Sequence, residues 1–362
     1  MKYLKILLFC LLLIISCSTH ENEKIISNDA KPDKNILSVK IMKNCSIRKQ
    51  NFNIASYNND LYCSYYQNNK YYFYKVIVKD NNLNYDELLF TCNQGKGPMD
   101  IMSLNGFSIK NNKIYTYDSN LKRISIFNFN GKNLDVINLN NYISDLSISK
   151  NKIFITGFIK TNLEVIDLKT GSQIKKIKYA EIEKLTDRGY GKMGPICYDK
   201  NSKKIYRGYW EEPYRIKIYN RDIKLKNVIK KDLDHNISEF ERTENKGFIG
   251  KFLIKDLAIY KDYLVALEGS CGYIDDKKRK WRIDKFKINV FNKNTGKNIY
   301  EITNDKLSNL GAFINGIIDI NNKYIIFELK QIKETNKLLD IKTDSALIFV
   351  ENPLNNYEQK NN

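Results

Sequence analysis

Short apolar segments separated by asparagine- and glycine-rich turns recur along most of the chain, and they constrain its fold more than any other feature. Within residues 104–139, four such segments, rich in Ile, Tyr and Phe, are separated by Asn111-Asn112, Asp118-Ser119-Asn120 and Asn130-Gly131-Lys132. Asn and Gly tolerate the positive φ that tight hairpins need. The pattern therefore predicts an antiparallel meander of four strands.

The same unit recurs six times, at spacings of roughly 40 to 60 residues, which is typical of propeller blades. Its first turn is found at Asn58-Asn59-Asp60, Asn111-Asn112, Lys150-Asn151, Lys200-Asn201-Ser202, Lys261-Asp262 and Asn321-Asn322. The last unit closes through Glu351-Asn352-Pro353. We therefore expect an all-β protein, with a six-bladed β-propeller of four-stranded antiparallel blades over residues 45–351. The best helical candidate is a short connector at Tyr179–Leu185.

The N-terminal segment has the form of an export signal. Lys2 and Lys5 precede an apolar run over residues 6–15, which is too short to span a bilayer as a helix. Cys17 follows the small Ser16, so the segment resembles a bacterial lipoprotein signal. The resemblance implies a signal peptide over residues 1–16 and lipid on Cys17; an ordinary signal peptide is the alternative.

The ends of the chain are polar. We predict a flexible tether from the lipidated Cys17 through residue 44, and a loose polar tail over residues 352–362. By resemblance to other lipoproteins, Ser18 after the cysteine favours the outer membrane. Whether the protein faces the periplasm or the cell surface is left open.

The chain is strongly basic, with 60 Lys and Arg against 41 Asp and Glu among 362 residues and a formal net charge of +19. The basic residues are mostly lysines scattered along the whole chain, not clustered on one motif. This distribution argues against nucleic acid as a partner. A long-range electrostatic attraction to anionic headgroups or acidic glycans is the alternative interpretation of the net positive charge.

Five cysteines remain beyond residue 17, an odd number whose spacings match no known disulfide framework: Cys45, Cys63, Cys92, Cys197 and Cys271. Cys45 with Cys63 is the most plausible pair, because the two close a short loop in an exported chain. Buried free thiols are an equally good interpretation.

One unit carries a family resemblance. Gly95-Lys96-Gly97-Pro98, followed by Ile114–Asp118, Arg123–Phe127 and Asn130-Gly131-Lys132, resembles the six-bladed β-propeller lipoproteins of Bacteroidota, whose blades are similar to TolB-like and NHL propellers. Here Met99-Asp100 stands where that family usually has Gly-Glu after the proline. The looser similarity extends over residues 45–351. The resemblance implies the propeller fold and says little about a ligand.

The motif residues Gly95, Gly97 and Pro98 allow two interpretations. A glycine-rich loop can bind an anion through its backbone N–H groups, but this one lacks the P-loop ending. We favour a structural turn leading into an inner strand. Asp118, at a tight turn, is similarly expected to cap its own backbone, with ligand contact as the alternative.

Histidine is scarce. His20 lies in the tether and His235 in a polar connector. Zinc sites need several ligands at set spacing, and a Ser-His-Asp triad would have to use His235. We therefore predict no metal and no cofactor.

Two loops combine aromatic and acidic residues. Tyr209, Trp210 and Glu211 form one candidate ligand site, and Glu268, near a small-residue turn, forms the other. Aromatic rings beside carboxylates can stack on a sugar, and paired carboxylates can hydrolyse glycosides. Packing of Trp210 between blades with a solvated acidic rim is the alternative.

These observations favour binding over catalysis. We expect a monomeric, membrane-anchored module of the cell envelope that binds a protein partner or a glycan through its propeller faces. The alternative is a propeller enzyme, a lyase or hydrolase acting on sugar or peptide in the central channel. The fold alone does not distinguish the two.

Overall fold

The computed structural model is an all-β chain in which six four-stranded antiparallel sheets form a six-bladed β-propeller, which confirms the predicted fold. It describes residues 24–28, 36–47, 52–79, 82–140, 142–157, 161–178, 193–210, 214–231, 241–242, 248–271, 286–308, 313–330 and 345–355. The predicted signal peptide, Cys17, the connector at residues 179–185 and both histidines lie outside these ranges.

Each blade is a meander whose strands follow one another in sequence. Blade 1 comprises β4 (Asn53–Tyr57), β5 (Asp60–Gln67), β6 (Lys70–Lys79) and β7 (Asn82–Asn93). Blade 2 comprises β8 (Leu104–Lys110), β9 (Lys113–Asp118), β10 (Arg123–Asn128) and β11 (Asn133–Asn138). Blade 3 comprises β12 (Ile143–Ile148), β13 (Lys152–Gly157), β14 (Thr161–Asp167) and β15 (Gln173–Lys178).

Blades 4 to 6 complete the ring. Blade 4 comprises β16 (Ile196–Asp199), β17 (Lys204–Gly208), β18 (Arg215–Tyr219) and β19 (Leu225–Lys231). Blade 5 comprises β21 (Phe248–Tyr260), β22 (Tyr263–Cys271), β23 (Lys287–Asn292) and β24 (Asn298–Thr303). Blade 6 comprises β25 (Phe313–Ile320), β26 (Tyr324–Lys330), β27 (Ser345–Glu351) and β3 (Ile41–Ile47). The short strand β20 (Glu241–Arg242) extends β21, and helix α1 (Asp305–Ser308) follows blade 5.

The N-terminal region is bound to the propeller. Strand β3 pairs antiparallel with β27 and so supplies the outer strand of blade 6, which closes the ring. Strands β1 (Lys24–Asn28) and β2 (Ile36–Ser38) pair parallel with β19 and β24, the outer strands of blades 4 and 5. The flexible tether predicted through residue 44 is therefore wrong for these strands, because the open edges of the blades offer them hydrogen bonds.

The first residues of the predicted loose C-terminal tail are packed against the propeller. Leu354 is fully buried, and the Asn352 side chain donates to the Asn321 carbonyl at 2.6 Å. Residues 352–355 thus belong to the packed structure, and residues 356–362 lie outside the described ranges.

The predicted first turns join the first two strands of each blade. Asn58, Asn59, Asn111 and Asn112 all have φ between 50° and 66°. This conformation suits the two-residue hairpins that match strand twist, and Asn tolerates it better than most residues.

Among the described residues, a hydrophobic cluster lies at each of the six blade interfaces. The middle strands are buried on both faces, as in β9 and β10, where all but the end residues are inaccessible. Burial on both faces requires nearly continuous apolar runs instead of strict alternation.

The first strand of each blade lies at the centre, where β4 contacts β8 and β25, and β16 contacts β12 and β21. In the described part of the chain, no helix has the length and apolar character needed to cross a membrane.

Candidate functional site

The glycine motif forms a loop whose polar groups are used within the protein. The Gly97 N–H donates to Asp100 Oδ2 at 3.0 Å, and Arg123 Nη2 donates to the carbonyls of Gly97 and Asp100 at 2.6 and 2.5 Å. A Cβ on Gly95 or Gly97 would lie 2.5 or 2.7 Å from Asp100 Oδ2. The glycines therefore allow close approach of the carboxylate, and the Pro98 carbonyl accepts from Asn133 at 2.9 Å. This geometry favours the structural interpretation of the motif.

Asp118 fixes the same loop from the other side. It is 2% exposed, and its Oδ2 accepts from the Met102 N–H at 2.6 Å. Its Oδ1 accepts from the Leu121 N–H at 3.0 Å, which is the backbone cap that its turn position predicts. Both carboxylate oxygens thus serve the fold.

The predicted aromatic site is buried. Tyr209 is 0% exposed, and the guanidinium groups of Arg207 and Arg215 lie 4.5 and 4.2 Å from its ring centroid. Its ring is therefore inside the protein with cations against it, and not on a surface open to a sugar. Trp210 is half-buried below the ammonium of Lys255, 5.0 Å from its ring. Glu211 lies outside the described residues.

Glu268 belongs to a network of charges between blades 4 and 5. Its carboxylate lies 3.3 Å from Lys231 Nζ and 3.8 Å from Lys287 Nζ, and it accepts from the Asn289 amide. Burial lowers the pKa of Lys231, although Glu268 opposes this. Burial acts in the same direction on Lys287, but Glu268 and Glu301 outweigh it, so the pKa of Lys287 is raised. The network holds Glu268 as a structural counterion.

The central strands carry two carboxylates that the sequence analysis missed. Asp145 Oδ2 on β12 accepts from the Ile196 N–H of blade 4 at 2.8 Å, and Asp256 Oδ2 on β21 accepts from the Ile317 N–H of blade 6 at 2.7 Å. The other oxygen of each accepts from the next residue of its own strand. Each carboxylate thus joins its blade to the following one.

These two carboxylates hold their protons more tightly than usual. Burial is the main cause, and it raises the pKa of Asp145 to about 7 and that of Asp256 to about 6. The charge of Asp256 adds to the effect on Asp145, while the N–H donors and Arg207 oppose it. The centre of the propeller therefore has carboxyl groups that titrate near neutral pH.

The interface between blades 2 and 3 is built differently and contains a cavity of about 350 Å³. Gly106 occupies the position, five residues before the first turn, that Asp145 and Asp256 occupy in their blades. A Cβ on Gly106 would meet no atom within 4 Å. Without a carboxylate here, the first strands of the two blades leave open space.

Polar and apolar side chains alternate around this cavity. The polar lining comprises Asn105, Ser108, Tyr117, Ser144 and Asp145, and the apolar lining comprises Phe107, Ile143, Leu146 and Met193. The Tyr117 hydroxyl is already used, since it bonds both the N–H and the carbonyl of Ile143 at 2.9 and 2.8 Å. A volume of this size and a mixed lining are typical of small-molecule sites.

Three of the cysteines are free thiols. Cys63, Cys92 and Cys197 are free, so of the two interpretations the free thiol holds for these three, and Cys63 is not paired with Cys45. Cys63 lies fully buried at the interface of blades 6 and 1, where packing and not a cross-link stabilises the sheet. Burial raises the pKa of the Cys92 thiol to about 12, and it raises the pKa of the Cys63 thiol by a larger amount. Among the described residues, no three His, Cys, Asp or Glu side chains are grouped so that they could hold a metal.

Solved structures from Bacteroides resemble the whole propeller. A candidate exported protein of Bacteroides fragilis NCTC 9343 has a TM-score of 0.53 at 16% identity, covering 91% of this chain and 99% of that one. A DUF4221 family member of Bacteroides vulgatus ATCC 8482 has a TM-score of 0.53 at 11% identity, covering 86% and 97%. These likenesses show the fold. No family model and no curated protein matches the chain in sequence.

An alignment of the six blade sequences on their first turns would have identified the two central carboxylates. Asp145 begins Asp-Leu-Ser-Ile-Ser-Lys-Asn and Asp256 begins Asp-Leu-Ala-Ile-Tyr-Lys-Asp, whereas Gly106 begins Gly-Phe-Ser-Ile-Lys-Asn-Asn. Among the predicted site residues that the structure describes, none lines the cavity.

Proposed function

We propose that this chain is a lipid-anchored cell-envelope protein whose propeller binds a glycan unit in the cavity between blades 2 and 3. The cavity carries the proposal, because about 350 Å³ accommodates a small ligand and not the face of a protein. The amide of Asn105 and the hydroxyl of Ser108 can bond sugar hydroxyls, and Phe107 adds an aromatic surface.

Binding is favoured over glycoside hydrolysis by the state of the carboxylates. Both oxygens of Asp145 and both of Asp256 accept backbone N–H groups, which position them for joining blades. A hydrolase needs one carboxyl to protonate the leaving group and another to act as base or nucleophile.

The N-terminal strands support the anchored arrangement. Strand β1 begins at Lys24, seven residues after Cys17, so an extended chain places the outer edge of blade 4 within roughly 25 Å of a lipid on Cys17. Exposed lysines lie on the strands of this region, Lys24, Lys175, Lys176, Lys226 and Lys230. Their charge favours an anionic membrane surface.

A glycan array followed by calorimetry tests the proposal. The mature chain is probed on an array of neutral and acidic oligosaccharides, and each bound sugar is then titrated into Gly106→Leu and Lys110→Leu variants. The Cβ of Leu at position 106 would meet no atom within 4 Å, and the rest of its side chain would take up cavity space, whereas Lys110 lies on the same strand outside the cavity lining. We expect Gly106→Leu to weaken binding at least tenfold and Lys110→Leu to bind normally. Equal binding by both variants, or no bound sugar, contradicts the proposal.

A further inference from the structure

Blade 4 contains a cluster of cations around one buried ring, and none of these residues lines the cavity. Arg207 and Arg215 both stack on Tyr209, and Lys217 Nζ lies 5.8 Å from the same ring centroid. Tyr209 and Arg207 are fully buried, and Arg215 is 7% exposed. Like charges brought together in a poorly solvated region repel one another, and the negative face of the ring offsets part of this repulsion.

Arg215 differs from the buried lysines of the propeller. Its Nε and Nη2 are inaccessible to solvent and make no hydrogen bond. Lys231 lies 3.3 Å from Glu268 and Lys293 lies 3.2 Å from Asp199, but no described carboxylate is within ion-pair distance of Arg215. A buried charge without a hydrogen-bonding partner is strongly unfavourable, so an anion bound to these two atoms would stabilise the guanidinium.

The two unpaired atoms have a specific shape. The N–H groups of Nε and Nη2 lie on one edge of the guanidinium and point in parallel, which matches two oxygens of a carboxylate or phosphate. Lys217 is half-buried, so the cluster approaches the surface on its side. A bound oxyanion there would also reduce the repulsion among the three cations.

We propose that Arg215, supported by Arg207 and Lys217 around Tyr209, forms an oxyanion-binding site for a carboxylate or phosphate group. The anion is held side-on by Nε and Nη2 of Arg215. This site is independent of the glycan proposed for the cavity, because none of its residues lines that cavity.

Two measurements on the mature chain test the site. The first is thermal unfolding in increasing phosphate or acetate at constant ionic strength, set with chloride. The second is the ¹⁵N–¹H resonance of Arg215 Nε in arginine-labelled protein. We expect a saturable rise in Tm and a saturable shift of that resonance, and the stronger of the two anions identifies the chemistry that the site prefers.

Variants separate this site from general charge effects. Arg215→Lys retains the charge but loses the paired N–H edge, and we expect it to weaken the anion response at least tenfold. Arg221→Lys, an exposed position of the same blade, is the matched control and is expected to respond like wild type. Equal losses in both variants would overturn the proposal.

The adjacent Glu211 and Glu212 provide a further control. If wild type does not respond and a Glu211→Gln, Glu212→Gln variant does, the chain's own carboxylates occupy Arg215, which would also overturn the ligand site. If Arg215→Lys fails to fold, the Nε resonance of Arg215 in the wild-type chain still tests the proposal, because that measurement needs no variant.

Discussion

At the scale of single residues, Arg123 organises the motif loop. It is buried, and its guanidinium bonds the carbonyls of Lys96, Gly97 and Asp100. These are charge-assisted hydrogen bonds to backbone carbonyls, so the side chain stabilises a loop that has no regular secondary structure of its own.

Replacement of Arg123 by Ala should therefore destabilise the protein by about 3 kcal/mol, because several backbone carbonyls lose a charged donor. Urea unfolding measures the change, with the exposed Arg221→Ala as the control, for which we expect about 0.5 kcal/mol or less. A similar free energy of unfolding for both variants would show that the loop does not depend on Arg123.

At the scale of secondary-structure elements, closure of the ring depends on β3. This strand covers β27, and Ile47 at its end is 1% exposed in the cluster that contains Leu347 and Phe349. Strand β1, by contrast, adds to an edge of blade 4 that is already complete with four strands.

Two truncations should consequently differ sharply. Removal of residues 1–35 takes away β1 and should leave a folded propeller with a modestly lower Tm. Removal of residues 1–47 exposes β27 and should cost several kcal/mol, a large part of the total stability of a typical domain. Circular dichroism during heating compares the two proteins, and identical transitions would show that β3 does not close the ring.

At the scale of the whole molecule, carboxylates at the centre couple blade 3 to blade 4 and blade 5 to blade 6. Their raised pKa values link the stability of the ring to pH. An unfolded Asp titrates near 3.9, so between about pH 4 and 7 the unfolded state releases protons that the folded state still binds. The free energy of unfolding contributed by these groups therefore falls as the pH rises through this window.

An Asp145→Asn variant should lose part of this dependence. The Asn amide keeps one acceptor and carries no charge. Between pH 4.5 and 7.5, the free energy of unfolding of the variant should therefore change less than that of wild type, by on the order of 2 kcal/mol. The exposed Asp222→Asn serves as the control. Urea unfolding at both pH values checks the prediction, which is wrong if Asp145→Asn retains the wild-type slope.

The sequence by itself determined the strands, the turns and the number of blades. These depend on local chemistry, since Asn58-Asn59 and Asn111-Asn112 adopt positive φ, and strands such as β9 have to be apolar where both faces are buried. The capping role of Asp118 was predictable for the same reason, because its N–H partner lies three residues away.

Only the tertiary structure decided the partners across blades and the candidate sites. Strand β3 joins β27 from the other end of the chain, Asp145 finds an N–H in the next blade, and the ring of Tyr209 is covered by two arginines. Each contact depends on how sheets pack around a common axis, which no local pattern encodes. The cavity at Gly106 likewise arises where one blade lacks a side chain that its neighbour has, so it exists only when the two face each other.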